Sequence, residues 1–180
     1  MTRILALDPG SSETGWVIID HDPRQVEGGK MPNARVLTDL REEAVSFDVV
    51  LIEYPGAWGI PIETAAQAME TLWWSGRFAE AAMPVELVRV TRDEVKRKLL
   101  DGARVKSADS VIRGLLIDRY AALVGDPLGG KAAAIGTKAK PGPLHGIKAD
   151  AWQALALAVA YMDGAETLDQ YRARKAQEAA

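Results

Sequence analysis

The chain has 180 residues, 48% apolar and 26% charged, with a formal net charge of −3; this suits one globular domain with a substantial core and leaves no room for two full ones. No apolar run approaches the roughly 20 residues that span a bilayer, so no membrane partner is expected. Cysteine is absent and only two histidines are present, which excludes disulfides and thiolate metal sites and argues against zinc; a metal here would need carboxylates, the ligands of magnesium or manganese.

The opening residues MTRILALDPG break on Asp8-Pro9 and lack the layout of a secretory leader, so a cytoplasmic protein is expected. RILALD (3–8) and GWVIID (15–20) are short β-branched runs split by a Pro-Gly-Ser-Ser turn, the pattern of a hairpin, and QVEGGKM (25–31) reads as a third antiparallel strand. TDLREEAVS (38–46) has helical spacing with Thr38 or Asp39 as cap. FDVVLIEYP (47–55) is apolar throughout until Glu53, as in a strand covered on both faces.

A strong helix spans 62–82, between Pro61 and Met83-Pro84, and PVELVRV (84–90) is a strand. TRDEVKRKLL (91–100) is a basic helix opened by Thr91, with Glu94 placed for a capping box. A further helix covers 105–123. Residues 124–147 are rich in Gly, Pro, Ala and Lys without a period, and read as a mobile loop. KADAWQALALAVAYMDG (148–164) is a core helix, and 165–180 is a polar helical tail expected to fray. Hairpin strands followed by alternating strands and helices define an α/β sheet with helices on both faces.

Charge is unevenly spread. Arg89 to Lys106 holds seven basic residues against three acidic ones, and Pro127 to Ala149 holds four lysines and no acid. An acidic protein with such a basic face still suits DNA.

Three acids occupy positions where acids are rare. Asp8 ends the first strand, Glu53 ends the VVLIE strand, and Asp150 lies in the first turn of an otherwise apolar helix. Taken singly, each has an ordinary explanation: a turn former, an exposed strand end, or an acid favoured by the helix dipole. Together they suggest a divalent-cation site, because converging carboxylates repel unless a cation lies among them.

LALDPGSSETGWVIID closely resembles the first motif of the RuvC family of Holliday-junction resolvases. Glu53 in VVLIEYPGAW stands where that family has its second acid, and ADAWQALALAVA resembles its last catalytic helix. TRDEVKRKLLDGARVKSADSVIRGLL resembles its basic segment, with Lys96 and Lys106 at the two lysine positions. The resemblance covers most of residues 3–163. It implies an RNase H-like fold over residues 1–164: a mixed central sheet, antiparallel hairpin strands then parallel strands, flanked by helices. Compact, divergent members occur in phages and prophages, a type this chain would suit.

The resemblance further implies two Mg²⁺ or Mn²⁺ ions about 4 Å apart, bridged by Asp8 and completed by Glu53 and Asp150. Many members carry a second acid three residues along the last helix, where this chain has Gln153. Gln153 offers an oxygen without a charge; His145 upstream either assists or is a loop residue without a role. Lys106 would stabilise the phosphate or hold the strand, while Lys96, Arg92, Arg97 and Lys98 would contact flanking phosphates. Trp58 either stacks on an unpaired base or pins its own loop. Trp73-Trp74 lie on the 62–82 helix, the family's homodimer interface, one turned to the core and the other to a partner.

The implied activity is metal-dependent cleavage of branched DNA. Two alternatives share these residues: an RNase H-like nuclease acting on flaps or RNA, and a non-catalytic, structure-selective DNA-binding protein.

Overall fold

The computed structural model describes residues 2–55, 65–103, 105, 108–125 and 130–178. Five strands, β1 (Ile4–Pro9), β2 (Glu13–Ile19), β3 (Val26–Pro32), β4 (Val49–Tyr54) and β5 (Glu86–Thr91), form one sheet in the order β3-β2-β1-β4-β5. β1, β2 and β3 pair antiparallel as successive hairpins, and β4 and β5 run parallel to β1. The sheet is therefore mixed, as the family resemblance implied.

Alternation along the strands feeds two cores. Ile4, Ala6, Val17, Val49, Leu51, Val88 and Val90 face one way, and Leu5, Leu7, Val50 and Ile52 face the other. The second face is covered by α1 (Asn33–Glu43) and α2 (Ala65–Ala81) through Val36, Leu37, Leu40 and Phe78. The first is covered by α6 (Ala151–Met162), with α3 (Arg92–Leu99) and α4 (Ala108–Leu123) packed outside it. α6 lies between sheet and helices, which is why nine of its residues are buried and its sequence is apolar on nearly every side, Gln153 excepted. Its alanines let it lie close to β1 and β2. Each large side chain buried in these layers is worth about 1.5–3 kcal/mol.

Several boundaries differ from the sequence reading. α1 begins at Asn33 rather than Thr38, because β3 runs straight into it at Pro32. Thr38 is an interior residue whose hydroxyl donates to the Ala34 carbonyl. Asn33 is buried and ties the helix start to the β1–β2 turn: Thr14 Oγ1 donates to its Oδ1 at 2.6 Å, and its Nδ2 donates to the Gly10 carbonyl at 3.0 Å. Thr91 caps α3, accepting from the Glu94 amide at 3.3 Å, but Glu94 does not close the box. Its carboxylate is taken by Arg97 and by the Glu166 amide.

The 124–147 segment holds more structure than its composition suggests. A single turn, α5 (Lys131–Ala134), packs on α4, and Ala134, Leu144 and Ile147 are buried in the α6-side core. The tail is the helix α7 (Leu168–Glu178), fastened to the body by an Arg89–Asp169 ion pair at 2.9 Å and by buried Leu168. On α2, Trp74 packs against Phe78 while Trp73 is 53% exposed beside Met69. No helix among the described residues is long and apolar enough to cross a membrane.

One close approach sets the position of α6. A Cβ on Gly15 would lie 2.6 Å from the backbone carbonyl of Asp150, so only glycine lets the helix start meet β2. Gly15→Ala is expected to cost about 1–3 kcal/mol by forcing the two apart. Gly114→Ala, at a helical position with nothing within 4 Å, should instead stabilise by about 0.5–1 kcal/mol. Urea unfolding of the two variants checks the pair.

Candidate active site

β1 and β4 lie side by side and parallel, with Leu7 opposite Ile52 as their last paired residues. The next residue of each strand is an acid, Asp8 and Glu53. Parallel pairing thus sets two carboxylates beside each other at one end of the sheet, the end where α/β folds place their sites. Glu53 is 8% exposed. On the other flank, Asp8 is opposite Gly15 of β2, and Gly15 is in turn covered by Asp150, the residue preceding α6. Asp150 is thus just outside the helix rather than in its first turn.

Three cations enter this cluster among the described residues. Arg92, at the start of α3, donates from Nη1 to Glu53 Oε1 at 2.9 Å and from Nη2 to Asp109 Oδ2 at 3.2 Å. Lys30 of β3, paired with Gly15 across the sheet, reaches Asp150 Oδ2 at 2.9 Å and Glu13 Oε2 at 3.1 Å. Lys96 lies 3.7 Å from the other Asp109 oxygen. Asp8 has no ion pair among the described residues.

The electrostatics follow from this layout. Burial raises the Asp8 carboxyl to about 7, reinforced by the charges of Glu53, Asp150 and Asp109 and opposed by Arg92. Glu53 is also raised, by burial, with Arg92 and Lys96 working against the shift. Burial alone would lower Arg92, but its ion pairs with Glu53 and Asp109 hold it above the usual value. Hydrogen bonds to Asp150 and Glu13 raise Lys30.

The donor chemistry fits a hard divalent cation: among the described residues, five carboxylates (Asp8, Glu53, Asp109, Asp150, Glu13) face three cations (Arg92, Lys30, Lys96), and Asp8 is the acid of this set with no ion pair. As the side chains stand, no three acids or histidines among the described residues converge closely enough to hold one ion. Glu53 is turned onto Arg92 and Asp150 onto Lys30.

Of the other residues singled out from sequence, Gln153 is partly buried in the first turn of α6, its backbone N–H donating to the Asp150 carbonyl. His145 is exposed, and Lys96 and Lys98 lie along α3. Arg92, read as a phosphate contact, is turned inward onto acids. Lys106 and Trp58 lie outside the described residues. Sequence reasoning missed Asp109, Lys30 and Glu13. Asp109 looks like an ordinary acid in the first turn of a helix, and nothing local signals that Lys30 would meet Asp150.

The sheet order and the two helical layers define an α/β protein of the RNase H-like fold. Among solved structures it is similar to RuvC of Thermus thermophilus. The structure of T. thermophilus RuvC in complex with a Holliday junction substrate matches with a TM-score of 0.56 at 18% identity, over 93% of this chain and 100% of that one. A second Thermus thermophilus RuvC structure matches with a TM-score of 0.57 at 16% identity, over 92% and 99%. No family model matches the chain, and no curated protein does.

The raised Asp8 carboxyl makes stability pH-dependent. Folding favours its protonated form, so this contribution is full below the ordinary aspartate value of 3.8 and is lost as pH rises through about 7. At about 1.4 kcal/mol per unit the loss is on the order of 4 kcal/mol at most. Asp8→Asn should flatten that slope and melt higher than the unsubstituted chain at alkaline pH. Thermal melts in chelator across this range test it; parallel curves for the two proteins would contradict it.

Proposed function

We propose that this chain is a divalent-metal-dependent endonuclease that cuts branched DNA of the Holliday-junction kind. The observation that carries this reading is the placement of Asp8 and Glu53 on the ends of adjacent parallel strands, with Asp150 packed against the same corner. The similar T. thermophilus RuvC, seen in complex with a Holliday junction substrate, supplies the substrate class.

Asp8, Glu53 and Asp150 would hold Mg²⁺ or Mn²⁺, two ions per site, with Gln153 as a neutral oxygen donor. Bound ions supply Lewis-acid stabilisation of charge on the phosphate and its departing oxygen. The residues of the chain do the rest. Asp8 sits between the other two acids, and its burial with Glu53 keeps the charges of these two from being screened by water. Lys96 and Lys98 on α3, with Lys106 beyond it, would track the phosphates, and Trp58 would stack on an unpaired base. Lys106, the remaining catalytic candidate, would stabilise the phosphate under attack.

A junction cut on two strands calls for a two-fold arrangement, since each site must reach one strand. The exposed Met69, Leu72 and Trp73 on α2 supply an apolar face for such a homodimer. Arg77, stacked 4.6 Å from both tryptophan rings, holds that face in shape.

Labelled four-way junctions, with matched duplex, flap, single-stranded and RNA controls, test the reading in Mg²⁺ and Mn²⁺. Paired symmetric nicks are expected. Asp8→Asn and Glu53→Gln should lose more than the roughly 10–100-fold that follows removal of a residue merely supporting a metal site. Cutting of flaps or RNA would keep the site and change the substrate. Tight junction binding without product under either metal would leave a structure-selective DNA-binding protein.

A further inference from the structure

Two of the cations in the acid cluster, Arg92 and Lys30, share one arrangement. Each bridges one acid of the strand-end site and one acid outside it. Arg92 spans Glu53 and Asp109; Lys30 spans Asp150 and Glu13. The inner acid of each pair is one that a divalent ion would need, and a guanidinium or ammonium at 2.9 Å occupies the oxygen such an ion would take. The outer acid in each pair belongs to a different element: Asp109 to the first turn of α4, Glu13 to the first residue of β2.

Resting on the metal-dependent reading of the site, we propose that Arg92 and Lys30 are resident counter-cations, displaced from Glu53 and Asp150 when divalent ions bind, and that Asp109 and Glu13 retain them once displaced. The physical need is on both sides of the exchange. Without either metal or Arg92, buried Glu53 would stand beside Asp8 as an uncompensated charge, which burial strongly disfavours. With metal, Arg92, only 33% exposed, would itself be left unpaired between an ion and the core. Asp109 prevents this, since one guanidinium edge already rests on it. Lys30 is placed the same way, opposite Gly15 and within reach of both its acids.

Asp109 and Glu13 are thus positioning residues that act on the metal site through a cation. This distinguishes them from acids that act by their field alone. A field effect persists when the cation is removed; a holding role vanishes with it.

The experiment is a Mn²⁺ titration of the full chain without DNA, followed by electron paramagnetic resonance, on a double-mutant cycle. Arg92→Gln is expected to tighten Mn²⁺ by about tenfold, and Asp109→Asn to weaken it by a similar factor. In the Arg92→Gln background, Asp109→Asn should change affinity by no more than about twofold. Lys30→Gln and Glu13→Gln form a second cycle on a separate pair of side chains, away from buried Glu53, so the test stands even if loss of Arg92 impairs folding. Equal losses from Asp109→Asn in both backgrounds, or Mn²⁺ affinity indifferent to Arg92 and Lys30 while the unsubstituted chain binds, would overturn the exchange and leave the metal site standing. No Mn²⁺ binding by any of these proteins would overturn the metal-dependent reading and the exchange with it.

Discussion

Two carboxylates on neighbouring parallel strands, at the buried end of a sheet, are the constraint to which the rest of this structure answers. Asp8 and Glu53 follow the last paired residues of β1 and β4, so the backbone fixes their positions side by side. Like charges so placed raise each other's affinity for protons or for a cation. Arg92 and Lys30 are part of the response, and Gly15 is another. Only a residue without a side chain lets Asp150 and the start of α6 close over the same corner.

The apolar character of α6 belongs to the same design. A helix buried between the sheet and α3–α4 cannot tolerate a charge along its body, so its acid sits just before it, at Asp150. Gln153, one turn on, is partly buried. In the proposed metal site a neutral amide there would offer an oxygen without adding charge to a cluster that, among the described residues, holds more acids than cations.

Much of this was legible in the sequence. Strands showed as short β-branched runs broken by Pro-Gly turns, and β4 as an apolar run long enough to be covered on both faces. Asp8 and Glu53 stood out because an acid ending such a run is costly without a partner. What escaped notice depends on tertiary contact. Asn33 starts α1 early because its side chain binds the Gly10 carbonyl and Thr14 across the hairpin. The Gly- and Lys-rich stretch before α6 looked aperiodic, yet its few apolar residues, Leu144 and Ile147, reach the core. Arg92 read as a phosphate contact and Lys30 carried no signal, since their acids are contributed by elements far away along the chain.

The most direct test of the central claim, that the strand-end acids form a divalent-cation site screened by resident cations, is anomalous diffraction from crystals of the chain soaked in Mn²⁺. Expected is anomalous density against the carboxylates of Asp8 and Glu53, with Arg92 released from Glu53 and still paired to Asp109. Crystals with no manganese at that corner, and the Arg92–Glu53 pair intact at a manganese concentration that supports cleavage, would contradict it.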